Sequence, residues 1–355
     1  MQTHSILSAS PLFDGDDIHG ADFTDSVNAQ ADAVEIRRCE VTPEQHNERL
    51  DRFLAQALPE FSRSYAQSLL TQQAVRCVSP TARAVDKPSH KVKLGECYEV
   101  QLRPTAQSQA FKPESMPIDT VYEDAHLRVI HKPAGCVVHP AAGHWSGTLL
   151  NGLLALDAAA AALPRAGIVH RLDKDTSGLM VVARSRAAMD ALVSMIAARS
   201  VHRQYLAVGY RAWQGALTMQ ADQAIGRDTR NRLRMAVVDL TRQSGKEAST
   251  RLHCLNSTDQ ACLVQCTLHT GRTHQIRVHM AHAGHPLVGD ALYGGPMNMG
   301  ISRQALHAYS LAFAHPITAQ PLQFHAPLGD KVADMRALVH DLGLAQGLAA
   351  EMLDG

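Results

Sequence analysis

The strongest constraint on the fold is a series of short extended runs that never settles into a repeating strand–helix unit. IDTVYED, LRVIHKP, LMVVARS and QYLAVGY each place apolar or β-branched residues over strand length. ACLVQCTL, residues 261–268, reads as one more strand. Helical periodicity interrupts these runs most clearly from about Arg186 to Arg199, where Met189, Leu192, Val193 and Ile196 share a face and Ser185 offers an N-cap. Strands without βα repetition predict an α+β fold on a mixed, largely antiparallel sheet.

At 355 residues the chain exceeds what one hydrophobic core usually supports, so more than one domain is expected. Residues 1–40 are polar, acidic and aperiodic and are expected to form a disordered extension. A small module over 46–103 follows. Leu50, Phe53, Leu54 and Leu58 form one helical face that ends at Pro59; a second helix capped by Ser62 carries Tyr65, Leu69 and Leu70 inward. Val75 with Cys77, then Tyr98 with Val100 and Leu102, alternate as strands. Residues 104–116, PTAQSQAFKPESM, read as a linker, 117–345 as the large domain and 346–355 as a C-terminal tail.

The chain is formally neutral, yet residues 1–40 hold eight carboxylates against Arg37 and Arg38, a net of −6 that leaves +6 for the rest. A moderately basic body suits a phosphate-bearing partner, although chance asymmetry would look the same. Seven cysteines, odd in number and without a CxxC pair, argue against a disulfide framework and imply a reducing, cytoplasmic setting. Cys262 and Cys266 sit in an apolar strand and read as packing thiols rather than metal ligands. The amino terminus shows no basic-then-apolar leader pattern, and the most apolar stretch, 152–163, is too short to span a membrane and contains Asp157.

Two segments carry chemistry. In GIVHRLDKDTSGLMVVARS, residues 167–185, two apolar runs flank a polar turn, and Arg171 and Asp173 are spaced to project to the same side. On spacing alone this is a salt-bridged loop or an active site. In TLHTGRTHQIRVHMAHAGHPLVGDALYGG, residues 267–295, alternation after Gly271 predicts a strand with Thr273, Gln275, Arg277 and His279 on one face and Ile276 and Val278 on the other. An arginine entering a partly buried pocket needs a carboxylate and would keep it ionised, and Asp173 is a candidate partner for Arg277. His279, His282 and His285 resemble a metal cluster, but the Gly-Pro-flanked turn between them argues for structural histidines.

HRLDKDTSGLMVVAR, GRTHQIRVHMAHAGHPLVGDALYGG and KPAGCVVHPAAG together resemble the motifs of the ribosomal large-subunit pseudouridine synthases, in order and spacing, within a resemblance spanning residues 46–340. The 46–103 module resembles the S4 RNA-binding domain over roughly 55 residues. By that resemblance Asp173 is the catalytic carboxylate and Arg171 takes the place of the flipped-out base. Tyr205 packs on the uracil and takes part in removing the C5 proton, Arg277 salt-bridges the aspartate, and Ile276 lies beside the base pocket. Arg52, Arg63, Lys87, Lys91 and Lys93 would meet RNA phosphates. His131 stands where the family usually has asparagine, and Ser79-Pro80-Thr81 replaces its usual Asn-Gly turn.

The resemblance implies isomerisation of uridine to pseudouridine in stem-loops of large-subunit ribosomal RNA, free or within an assembling subunit. It implies a monomer with no cofactor, no metal and no membrane partner. The competing readings are a non-catalytic RNA-binding or assembly protein, a sister synthase acting on other ribosomal or transfer RNA uridines, and a histidine-dependent metallohydrolase.

Overall fold

The computed structural model describes residues 35–59, 63–102, 110–141, 144–346 and 348–353. The chain divides between Gln109 and Ala110 into two compact units.

In the smaller unit an antiparallel sheet has the order β1-β4-β2-β3, with β1 Glu35–Glu40, β2 Val75–Ser79, β3 Arg83–Ala84 and β4 Cys97–Leu102. Helices α1 (Leu50–Ala57) and α2 (Arg63–Thr71) supply Phe53, Leu54, Leu69 and Leu70 to its core. Phe53 and Tyr98 pack ring against ring with centroids 5.8 Å apart. The helix–helix–strand order is the expected one; Ser62, the expected cap, lies outside the described residues. The acidic extension ends earlier than expected, because Glu35–Glu40 pairs along its length with β4. The strand is masked in the sequence by charges that are matched across the sheet. Arg38 and Arg76 each bind Glu99, at 2.7 and 2.6 Å.

The larger unit is built on a nine-stranded sheet. Its strands are β5 (Asp119–Glu123), β6 (Leu127–Lys132), β7 (Ser177–Ala183), β8 (His202–Tyr210), β9 (Thr218–Ala221), β12 (Thr250–Ser257), β13 (Ala261–Leu268), β14 (Leu306–Ala314) and β15 (Pro321–His325). A separate hairpin joins β10 (Ile225–Arg227) to β11 (Met235–Val237). The sheet runs β5-β6-β7-β14-β8-β13-β12-β9, with β15 also on β14. Every pair is antiparallel except β7 with β14, which meet only at Ser177 opposite His307 and Gly178 opposite Ala308. At that junction Gly178 has φ +115, and a Cβ there would lie 2.2 Å from the Ala308 carbonyl oxygen, so the close approach requires glycine.

Helix α3 (Leu149–Leu156) and the inner face of β8 and β13 close one apolar layer that holds Leu150, Leu153, Met180, Tyr205 and Val264. Helix α4 (Arg186–Ala197), capped as expected by Ser185 accepting from the Ala188 amide, contributes Leu192 to a core that includes Val181 and Phe313. Helix α6 (Ala333–Asp341) packs Leu338 and Val339 on another face.

Two expected boundaries shift. Residues 110–116 are not a free linker: the buried Asn151 amide donates to the carbonyls of Ala110 and Lys112, at 3.0 and 2.8 Å. The expected tail is likewise docked where it is described, with α7 (Ala350–Leu353) holding Met352 and Leu353 against the Leu338–Val339 core. In both cases distant partners fix the backbone, and a window of local sequence carries no sign of them. Among the described residues no helix is long and apolar enough to cross a membrane.

Candidate active site

The segment expected to be a strand after Gly271 is a helix, α5 (Gln275–His282), entered through His274 in a left-handed conformation at φ 55. Residues Gln275 to Met280 are all buried, so polar and apolar side chains are hidden alike and no solvent-facing stripe reveals the 3.6-residue period. The faces expected from alternation therefore do not exist. Arg277 still reaches a pocket, now from the first turn of a helix.

The pocket has a volume of about 220 Å³ and is lined by Val137, Val138, Arg171, Leu172, Asp173, Lys174, Asp175, His274, Arg277 and Gln304. This is below the roughly 300–1,000 Å³ of sites for drug-sized ligands and suits one planar base. Asp173 and Arg277, 104 residues apart, meet here with Arg277 Nη1 donating to Asp173 Oδ2 at 3.1 Å. Arg277 also donates from Nε and Nη2 to both oxygens of Asp290, at 2.8 and 3.0 Å, and lies 4.9 Å over the Tyr293 ring. Burial opposes its charge, but the Asp290 hydrogen bonds and the two carboxylates outweigh this and raise the guanidinium above the ordinary arginine range.

His274 approaches the same carboxylate, its Nε2 4.0 Å from Asp173 Oδ2. The Tyr293 hydroxyl accepts from the Met235 amide at 2.9 Å and lies 2.8 Å from His274 Nδ1. With its one hydrogen directed to Nδ1, the imidazole proton would sit on Nε2, facing Asp173. Burial lowers the His274 pKa and favours this neutral form.

Three side chains from distant elements hold the loop after Asp173. Buried Lys132 donates from Nζ to the carbonyls of Pro133, Cys136 and Lys174, at 2.8, 2.9 and 3.0 Å. Burial pulls its pKa down to about 8. Arg303 donates to the Asp175 carbonyl at 3.1 Å while both oxygens of Asp334 on α6 bind its other donors. Gln304 donates to Thr176 Oγ1 at 3.3 Å.

Of the residues expected to act, Asp173, Arg171 and Arg277 line the pocket. Tyr205 and Ile276 lie in the apolar layer that also contains the pocket residues Val138 and Leu172. Burial raises the Tyr205 phenol pKa, Arg203 opposes this, and the Asp173 charge adds to it. Arg52, Arg63, Lys87, Lys91 and Lys93 belong to the smaller unit, where the three lysines are exposed. The two arginines are also held within the unit: Arg52 pairs with Glu48 at 2.9 Å, and Arg63 with the fully buried Asp51 at 2.8 Å. A buried carboxylate needs such a partner, which the local sequence does not disclose. His279 is held between Thr250 Oγ1 and the Gln223 carbonyl, at 2.8 and 3.0 Å, and His285 stacks on Trp213. Ala142 and Gly143 of the early motif lie outside the described residues.

Sequence reasoning missed Asp290, His274, Lys132, Arg303 and Gln304. The first two lie inside the long motif beginning at Gly271, so the motif marked their region without their roles.

Residues 126–282 match the family model described as RNA pseudouridylate synthase. The chain is 44% identical over 321 residues to a protein of Neisseria meningitidis serogroup A named ribosomal large subunit pseudouridine synthase D, covering 85% of this chain and 82% of that one. It is 45% identical over 306 residues to a protein of the same name from Xylella fastidiosa, covering 82% and 89%. A third of that name, from Xanthomonas campestris pv. campestris, is 43% identical over 330 residues, covering 89% and 96%.

Proposed function

This chain belongs to the RNA pseudouridylate synthase family, and from that premise we propose that it converts uridine to pseudouridine in large-subunit ribosomal RNA, with Asp173 acting at C1′. The observation that carries the proposal is the 3.1 Å contact between Asp173 and Arg277 in a pocket of single-base size. The relatives' names supply the RNA class.

Pseudouridine formation breaks N1–C1′, turns the freed uracil and joins C5 to C1′, while a proton leaves C5 and N1 gains one. The redox state does not change and no group is imported, so a carboxylate and a shaped pocket suffice. Asp173 attacks or stabilises C1′, or assists at C2′; Arg277 keeps it charged. Tyr205, in the layer beneath, packs on the uracil and serves the C5 proton. C5 is inaccessible in a stacked helix, so the nucleotide leaves the stack at a cost of a few kcal/mol. Arg171, exposed at the pocket mouth, fills the gap it leaves. The smaller unit, with its exposed Lys87, Lys91 and Lys93, acts as an S4-like RNA-binding module.

The test is tritium release from ribosomal RNA labelled at uridine C5. Wild type should release it, and Asp173→Asn should lose more than ~10³-fold in rate while still binding RNA. Release by the variant at the wild-type rate would remove Asp173 from the chemistry.

A further inference from the structure

On β8, two residues before Tyr205 and on the same face of the strand, stands Arg203. It is only 7% exposed, and its buried Nε has no hydrogen-bond partner. Among the described residues no carboxylate pairs with it, unlike Arg277, which has two. A buried guanidinium without a counter-charge is costly, and folded proteins rarely retain one without a use for it.

A second donor nearby is also unmet. His170 Nε2 accepts from the Val181 amide at 3.1 Å, so its proton sits on Nδ1, and that atom is buried with no partner. Burial, then the Arg203 charge, depress the His170 pKa and keep the ring neutral. Both orphaned groups are therefore N–H donors, and what they lack is an acceptor; beside a guanidinium it would be an anionic one.

Gly271 is exposed, and a Cβ there would come within 3.1 Å of Arg203 Nη1. The absent side chain leaves a notch through which Nη1 can be reached. The rim is on balance cationic, since Arg272 follows Gly271 and both the Arg199 charge and the opposite charge of Glu247 act on it. An oxygen-rich anion approaching from solvent meets positive charge first and an unpaired guanidinium beneath it.

We propose that Arg203, reached through the Gly271 notch, binds a backbone phosphate of the RNA next to the uridine being isomerised. The inference rests on the RNA-isomerase reading above and adds to it a specific anchor. Because Arg203 and Tyr205 project from one face of one strand, fixing that phosphate also fixes the flipped nucleotide relative to Tyr205 and Asp173.

The experiment uses a synthetic stem-loop RNA carrying a uridine that the full-length wild-type chain converts. Its phosphates are replaced one at a time by neutral methylphosphonates, and binding is measured from 50 to 200 mM salt with wild type and Arg203→Met. One position should weaken wild-type binding roughly tenfold and leave the variant unaffected. The variant should bind unmodified RNA roughly tenfold more weakly, with a salt slope smaller by about 0.7–0.9, the loss of one phosphate contact. It should also melt at or above the wild-type temperature, because a purely structural arginine would give the opposite. Unchanged affinity and slope in Arg203→Met, or no sensitive phosphate, would overturn the proposal. Should the variant fail to fold, the wild-type phosphate scan alone decides. If wild type forms no pseudouridine in any ribosomal RNA, the isomerase reading falls first and takes this inference with it; an active wild type with no sensitive phosphate fails only the inference.

Discussion

Arg277 divides its donors unequally between its two carboxylates. Asp290, 2% exposed, takes two of them in a fork geometry, whereas Asp173 takes one and keeps 17% of its side chain accessible. The fixed partner is thus Asp290, and under the proposed mechanism the working one is Asp173. Under that proposal Arg277 would still be neutralised, and would stay in place, when Asp173 turns to the ribose. Asp290→Asn should accordingly cost about 3 kcal/mol in urea unfolding, as expected when one side of a buried ion pair is removed, and should slow isomerisation without weakening RNA binding. Unfolding at the wild-type urea midpoint would show that Asp290 is dispensable. At this scale the sequence pointed to Asp173 and Arg277 through their motifs, but it marked only the region of Asp290, which stands in VGDALYGG at the end of the Arg277 motif, and not its role.

The loop from Asp173 to Thr176 is shaped by other elements more than by its own residues. Its tethers run from β6 through Lys132 and from the approach to β14 through Arg303 and Gln304, and most of them end on backbone carbonyls. Carbonyls have no residue identity, which is why these contacts leave no trace in the sequence. Asp334 on α6 grips Arg303 with two hydrogen bonds from outside the pocket. Asp334→Asn should lower kcat roughly tenfold with KM little changed, since sub-ångström misplacement costs less than the ~10²-fold of a full 1 Å shift. Its effect on stability should stay within ~1 kcal/mol, because the Asp334 side chain is 42% exposed. A rise in KM at unchanged kcat would contradict positioning. Helix α4 was legible because one of its faces meets the core in a helical period, and β7 and β8 because each is a largely buried, apolar run of strand length. Helix α5 was not, because QIRVHMAH is buried almost all round and short alternation mimicked a strand.

At the scale of the molecule, seven histidines among the described residues have pKa values pushed down, in each case mainly by burial: His131, His139, His170, His274, His279, His285 and His307. His139 falls to about 4 and His307 to about 3. Below their ordinary value near ~6.5 the unfolded chain takes up protons that the folded chain refuses, so stability rises with pH. Above that value both states are neutral and the effect vanishes. The urea midpoint should therefore hold steady from pH 8 to 7 and fall progressively from pH 6.5 to 5, before most carboxylates titrate. A flat midpoint down to pH 5 would mean that these rings protonate freely in the fold. One last consequence belongs to the two-residue parallel junction between β7 and β14. Asp173 is delivered from the β7 side of it, while Tyr205 rides on β8, which pairs with β14 on the other. Slippage by a single rung would carry the carboxylate about 3.3 Å, beyond hydrogen-bond reach of its arginine. Under the proposed mechanism the alignment of that seam is thus a tolerance on catalysis itself, and mutations far from the pocket that loosen it would silence the enzyme while leaving it folded.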